Sequence, residues 1–146
     1  MTIDARHEKA WIGLGIKLRD MNAEDFKKRT KAYAVRVVRL VDCLPHSRTC
    51  DNMGQQLLRS GTSVGANYRA VCRAKSQADF INKLRTVEEE CDESLYWMEI
   101  LIETGKIKEK LVKDLMQEGS EILAITIASA KTARTSKDSS IVNRKS

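Results

Sequence analysis

Apolar residues return every three or four positions from Phe80 to Ile102, at Phe80, Leu84, Val87, Cys91, Leu95, Met98 and Ile102. Such a rhythm keeps side chains on one face only if the backbone turns about 3.6 residues per turn, so the stretch predicts a long α-helix with a single seam. One seam cannot bury itself and demands helical partners. The same spacing recurs at Phe26, Tyr33, Val37, Leu40 and Leu44, and again at Met53, Leu57, Val64, Tyr68 and Val71. Pro45 is the only proline and no strand-like alternation recurs, so the fold class is all-α. Helices are expected from about 24 to 44, from 51 or 52 to 74, from 77 to 104 and from 107 to 131. Pro45 closes the first, Asp51 or Asn52 caps the second, Ser76-x-x-Asp79 starts the third and Gly105 stops it.

With 146 residues the chain fits one domain, a bundle over 23–131. Residues 1–22 read as an extension and 132–146 as a disordered, mildly basic tail. Gly13-Leu14-Gly15 is too short to cradle a phosphate, lacking a third glycine or a following Gly-Lys-Ser/Thr. No secretory leader is recognisable and no apolar run approaches the roughly 20 residues that span a bilayer, so the expectation is a cytoplasmic protein without membrane contact. Cys43, Cys50, Cys72 and Cys91 lack close C-x-x-C pairing and read as reduced packing thiols. His7 and His46 have no partner base or ligand at a recognisable spacing, and the serines have no activating neighbour. The acidic run Glu88-Glu89-Glu90-x-Asp92-Glu93 radiates around its helix rather than converging, which favours solvation or salt bridging over a metal. No catalytic residue, cofactor or metal is expected.

Charge is segregated along the chain. Residues 23–50 carry seven basic and three acidic side chains, a net +4, and 51–75 carry four and one, a net +3. Residues 76–105 carry two and eight, a net −6. In helix one, Lys28, Lys31 and Arg39 lie opposite the apolar seam; in helix two, Arg59, Arg69 and Arg73 project outward with small residues Thr62 and Ala66 between them. These six are the candidate phosphate contacts, and an ordinary solvated basic face is the alternative. Ser60, Ser63 and Asn67, with Gly61 and Gly65, read as a stripe for close helix packing and interhelical hydrogen bonds. The fourth helix has two apolar stripes, Leu111, Leu115, Ile122 and Ile125, and Val112, Met116, Leu123 and Ile127. Two stripes need two partners, so Val112, Met116, Leu123 and Ile127 are assigned to a subunit interface with the outward Tyr96, Trp97 and Ile100.

The order Gln56-Leu57-x-Arg59-Ser60-x-x-Ser63-x-x-x-Asn67-Tyr68-Arg69 is followed by Ala74-Lys75-Ser76-x-x-Asp79-Phe80-x-x-Lys83-Leu84. Then comes Glu90-Cys91-Asp92-Glu93-Ser94-x-Tyr96-Trp97. This series resembles the bacterial four-helix-bundle proteins first noticed inside intervening sequences of 23S ribosomal RNA genes, over roughly residues 24–130. Ala70 departs from the resemblance, since the family often has a glutamate after the Tyr-Arg pair. The resemblance implies an antiparallel up-down bundle assembled as a homopentameric ring, with no enzymatic activity. It also implies kinship with the accessory variability proteins of diversity-generating retroelements, basic pentamers that bind nucleic acid and partner a reverse transcriptase.

Two functional readings follow. In the first, a homo-oligomeric bundle binds RNA or DNA through backbone phosphates, with ribosomal RNA or a reverse transcriptase as partner. In the second, the basic and acidic faces serve self-assembly or docking to a protein, without nucleic acid.

Overall fold

The computed structural model describes residues 22–145, and the segment expected to form an N-terminal extension lies, but for Asn22, outside the described residues. Four helices fill it: α1 (Ala23–Asp42), α2 (Arg48–Val71), α3 (Gln77–Glu103) and α4 (Glu109–Lys145). Each start has a local cause. Asn22 accepts from the Asp25 backbone N–H at 2.9 Å, and Asp25 accepts in return from the Asn22 N–H, so two orphan donors of the first turn are satisfied. Ser76 accepts from the Asp79 N–H at 3.1 Å, as the sequence suggests, while Asp79 accepts from the Lys75 N–H at 3.0 Å. At the end of α3, Gly105 takes φ +70°, its N–H reaches Ile102 O and the Lys106 N–H reaches Leu101 O. That paired closure is the left-handed turn for which glycine is suited.

Two boundaries depart from expectation. α2 is capped by Ser47, not by Asp51 or Asn52: Ser47 is extended, its hydroxyl accepts from the Cys50 N–H at 3.2 Å, and the helix begins at Arg48. α4 runs on to Lys145 instead of ending near Lys131. No proline or glycine follows Gly119 to stop it, and Ala133 is still buried, its carbonyl accepting from the Gln77 side chain at 2.6 Å.

Neighbouring helices run antiparallel. α1 with the turn that follows it meets α2 in reverse order, Leu44 with Gly54, Val37 with Gly61 and Thr30 with Gly65; Cys91 meets Gly119 and Gln77 meets Ala133 in the same reversed sense. α1 packs on α2, α2 on α3, α3 on α4, and α4 returns to α1 along the thinnest seam. The core takes the three predicted seams nearly whole, including Phe26, Tyr33, Val37, Leu57, Val64, Tyr68, Phe80, Leu84 and Met98. Leu101 rather than Ile102 completes the inner face of α3. Phe26 and Tyr68 meet edge to face, 4.6 Å between centroids.

A polar chain threads this core. The Ser94 hydroxyl donates to Cys91 O at 2.7 Å, the Tyr33 hydroxyl lies 2.7 Å from Ser94 Oγ, and Cys91 Sγ donates to Gly119 O at 3.3 Å. It links α1, α3 and α4 through fully buried side chains. Burial pushes the Tyr33 phenol well above its ordinary range and the Cys91 thiol up to about 12. All four cysteines are free thiols, Cys50 and Cys91 buried and Cys43 exposed.

Close approach of α1 and α2 depends on two glycines. A Cβ on Gly61 would sit 2.8 Å from both Val37 methyls, and one on Gly65 would sit 3.3 Å from the Thr30 backbone. The packing role read for this stripe is therefore real, but its hydrogen bonds stay within α2. Ser60 donates to Gln56 O, Ser63 to Arg59 O and Asn67 to Ser63 O, because a short side chain on a helix reaches the carbonyl one turn back more readily than a neighbouring helix.

Candidate nucleic-acid interface

The outer surface between α1 and α2 is a shallow groove of about 400 Å³. Its floor is Ala34, Thr62, Gly65 and Ala66, small residues made adjacent by the glycine-dependent approach of the two helices. Its rim carries Lys27, Lys28 and Lys31 from α1 and Arg69 from α2, with Glu24 as the single acid. Lys27 Nζ lies 2.9 Å from Glu24 and holds that carboxyl below its ordinary range. Among the described residues no carboxylate lies within 4.0 Å of Lys28, Lys31 or Arg69. Three uncompensated cations thus flank a floor that lets a backbone approach, a geometry fitted to phosphates.

The six basic residues singled out in the sequence do not act together. Lys28, Lys31 and Arg69 converge on this groove. Arg59 lies about 15 Å farther along α2 and is turned toward α3, where it donates to Glu90 at 3.1 and 3.2 Å and to Glu93 at 2.5 Å. The acidic run of α3 is thus partly answered by salt bridging inside the chain, and Arg59 beside Glu93, helped by the Trp97 indole N–H, holds that carboxyl below the usual range. Arg73 lies past the end of α2, whose C-cap is Cys72, so the helical projection that aligned it with Arg69 does not apply. Arg39 lines a different groove, between α1 and α4. Lys27 was overlooked in the sequence, although its spacing of four from Lys31 places both on the α2-facing flank of α1. Arg29, on the opposite flank, clasps α4 through Glu118 at 2.5 Å and through Glu121.

The residues assigned to a subunit interface are also divided. Val112 is only 1 % exposed and belongs to the chain's own core, a correction to its place in an outer stripe. Trp97, Met116 and Leu123 are half-buried and pack against that core, and Ile100 is half-buried as well. Tyr96, 51 % exposed, and Ile127, 44 % exposed, face outward. α4 sits in the angle between α1 and α3, so most of its second stripe is consumed inside the bundle. Conversely Leu111, placed in the inner stripe, is 72 % exposed. Among the described residues no cluster of His, Cys, Asp and Glu is placed to hold a metal ion, and no helix is long and apolar enough to cross a membrane.

Comparison with known proteins agrees with this architecture. No curated protein matches the chain. A crystal structure of a protein of unknown function from the S23 ribosomal protein family, from Bacteroides thetaiotaomicron, is 38% identical. The match covers 76% of this chain and 99% of that one, with a TM-score of 0.70. The profile of the 23S rRNA-intervening sequence protein family matches residues 23–128, from the first residue of α1 to well inside α4. The chain therefore belongs to the 23S rRNA-intervening sequence protein family.

Proposed function

We propose that this protein is a non-enzymatic helical bundle that binds RNA or DNA through backbone phosphates in the α1–α2 groove. The observation that carries the reading is the convergence of Lys28, Lys31 and Arg69, free of carboxylate partners among the described residues, on a floor of small residues. Among the described residues no aromatic side chain lines the groove, so base stacking contributes little and recognition is largely independent of sequence. One groove with three cations binds weakly. Assembly of copies into a ring, a pentamer on the family's pattern, repeats the groove and raises the effective concentration of each further contact. Tyr96 and Ile127 supply exposed apolar contacts for that assembly, in a cytoplasmic setting. Family membership makes ribosomal RNA the first polymer to try, with a reverse-transcriptase-associated transcript as the second.

The rival reading, self-assembly through arginines docked on a neighbour's acidic helix, loses its strongest member, since Arg59 already meets Glu90 and Glu93 of its own chain. The test is fluorescence anisotropy with labelled single-stranded RNA across a salt series. Log affinity is expected to fall linearly with log salt, and K28A/K31A/R69A to flatten the slope by about 2 for each site engaged. R59A leaves the slope unchanged. Affinity insensitive to salt, or an unaltered slope in the triple variant, overturns the proposal.

A further inference from the structure

A second groove of about 390 Å³ opens on the other flank of α1, where the end of α1 and the start of α4 draw apart. Lower in the same seam Arg29 and Tyr33 hold α1 close to Glu118 and Gly119; above them the helices leave a gap. Its walls are apolar, with Leu40, Ile107, Leu111 and Leu115 prominent, and the α1 side carries the guanidinium groups of Arg36 and Arg39. Leu111 is the residue whose helical spacing predicts burial and which the structure leaves 72 % exposed. An apolar side chain placed for a core and left uncovered marks missing contact surface at this point.

The charges narrow what would cover it. Arg29 and Arg59 each engage two carboxylates, whereas among the described residues no carboxylate lies within 4.0 Å of Arg36 or Arg39. They are three residues apart on one helix, so both can reach one planar anion through forked donors. A phosphodiester chain would satisfy the arginines and gain nothing from the leucines. The size falls in the range of small-ligand clefts, about 300–1,000 Å³, that pair an apolar lining with few polar anchors. We propose that the α1–α4 groove binds a small apolar carboxylate, its hydrocarbon chain against Leu40, Ile107, Leu111 and Leu115 and its carboxylate on Arg36 and Arg39.

Isothermal titration of the full chain with octanoate, octanol and acetate tests the assignment. Octanoate is expected to bind at least tenfold more tightly than either octanol, which lacks the charge, or acetate, which lacks the chain. R36A/R39A is expected to weaken octanoate at least tenfold, and L111S, at an exposed position that folding tolerates, to weaken it several-fold. K28A/K31A/R69A alters the α1–α2 groove and leaves octanoate affinity unchanged, so failure of the nucleic-acid proposal and failure of this one are separable. Octanoate binding no better than acetate, or equal affinity in R36A/R39A, overturns the inference. A change in sedimentation mass in R36A/R39A also overturns it, because the groove would then be covered by a second copy.

Discussion

Gly119 occupies the point where α4 crosses the buried Tyr33, and a Cβ there would lie 2.8 Å from the Tyr33 hydroxyl and 2.9 Å from Leu95 Cδ2. Alanine favours a helix interior over glycine by about 1 kcal/mol, but overpacking a fixed core costs about 1–3 kcal/mol. Tyr33 cannot swing aside without leaving Ser94, so the clash outweighs the propensity gain. Gly119→Ala is expected to destabilise the protein by about 1–2 kcal/mol in urea unfolding. In a Tyr33→Phe background, where the nearest atom is gone, Leu95 Cδ2 remains and Ser94 still donates to Cys91 O, the same substitution should cost less. Equal costs in both backgrounds would show that the hydroxyl is not the obstacle. Gly61 and Gly65 were readable beforehand as packing residues because they sit in a stripe of small side chains. Gly119 was not, since what excludes its side chain is a tyrosine on a helix 86 positions away in sequence. Arg59 illustrates the same limit: helical projection makes it outward, but only the relative placement of α2 and α3 turns Glu90 and Glu93 toward it.

At the level of the helices, periodicity located all four, and the local chemistry of caps and breakers fixed those boundaries with a strong punctuating residue. Ser76 and Gly105 are such residues. The start of α2 shifted because Ser47, Asp51 and Asn52 are all competent caps, and their order in the chain does not rank them. The end of α4 shifted because its polar, serine- and threonine-rich sequence has the composition of a loop yet no residue that breaks a helix. α4 spans about 55 Å and α3 about 40 Å at the usual rise per residue, so α4 overhangs its neighbour. From Arg134 onward every described side chain of α4 is exposed, and Arg134, Asp138 and Ile141 line a groove with Ala78 and Ile81 of α3. Ending the chain after Ala133 is therefore expected to reduce the helical circular-dichroism signal while moving Tm by less than about 3 °C. A larger drop would mean that the overhang packs more tightly than its exposure indicates.

Across the whole molecule the four seams are unequal, and α1 is joined to α4 mainly through the Arg29 clasp and the fit of Tyr33 over Gly119. Opening of a weakly held element takes less free energy than global unfolding, so this seam is expected to part first. Which seam is thin was not legible in the sequence: α1 and α4 are far apart in the chain, and their separate apolar patterns do not report how closely two helices approach. Thiols at different depths turn that inequality into something chemistry can time. Cys43 is exposed to an electrophile, whereas Cys91, hydrogen-bonded to the Gly119 carbonyl at the foot of the clasp, becomes accessible only when α4 lifts away. Arg29→Ala is expected to speed alkylation of Cys91 at least threefold and to leave Cys43 unchanged, as read by mass spectrometry of quenched samples. Cys50, near the start of α2 and remote from the clasp, should keep its rate. The spread of alkylation half-lives along one native chain thus becomes a clock for its order of opening.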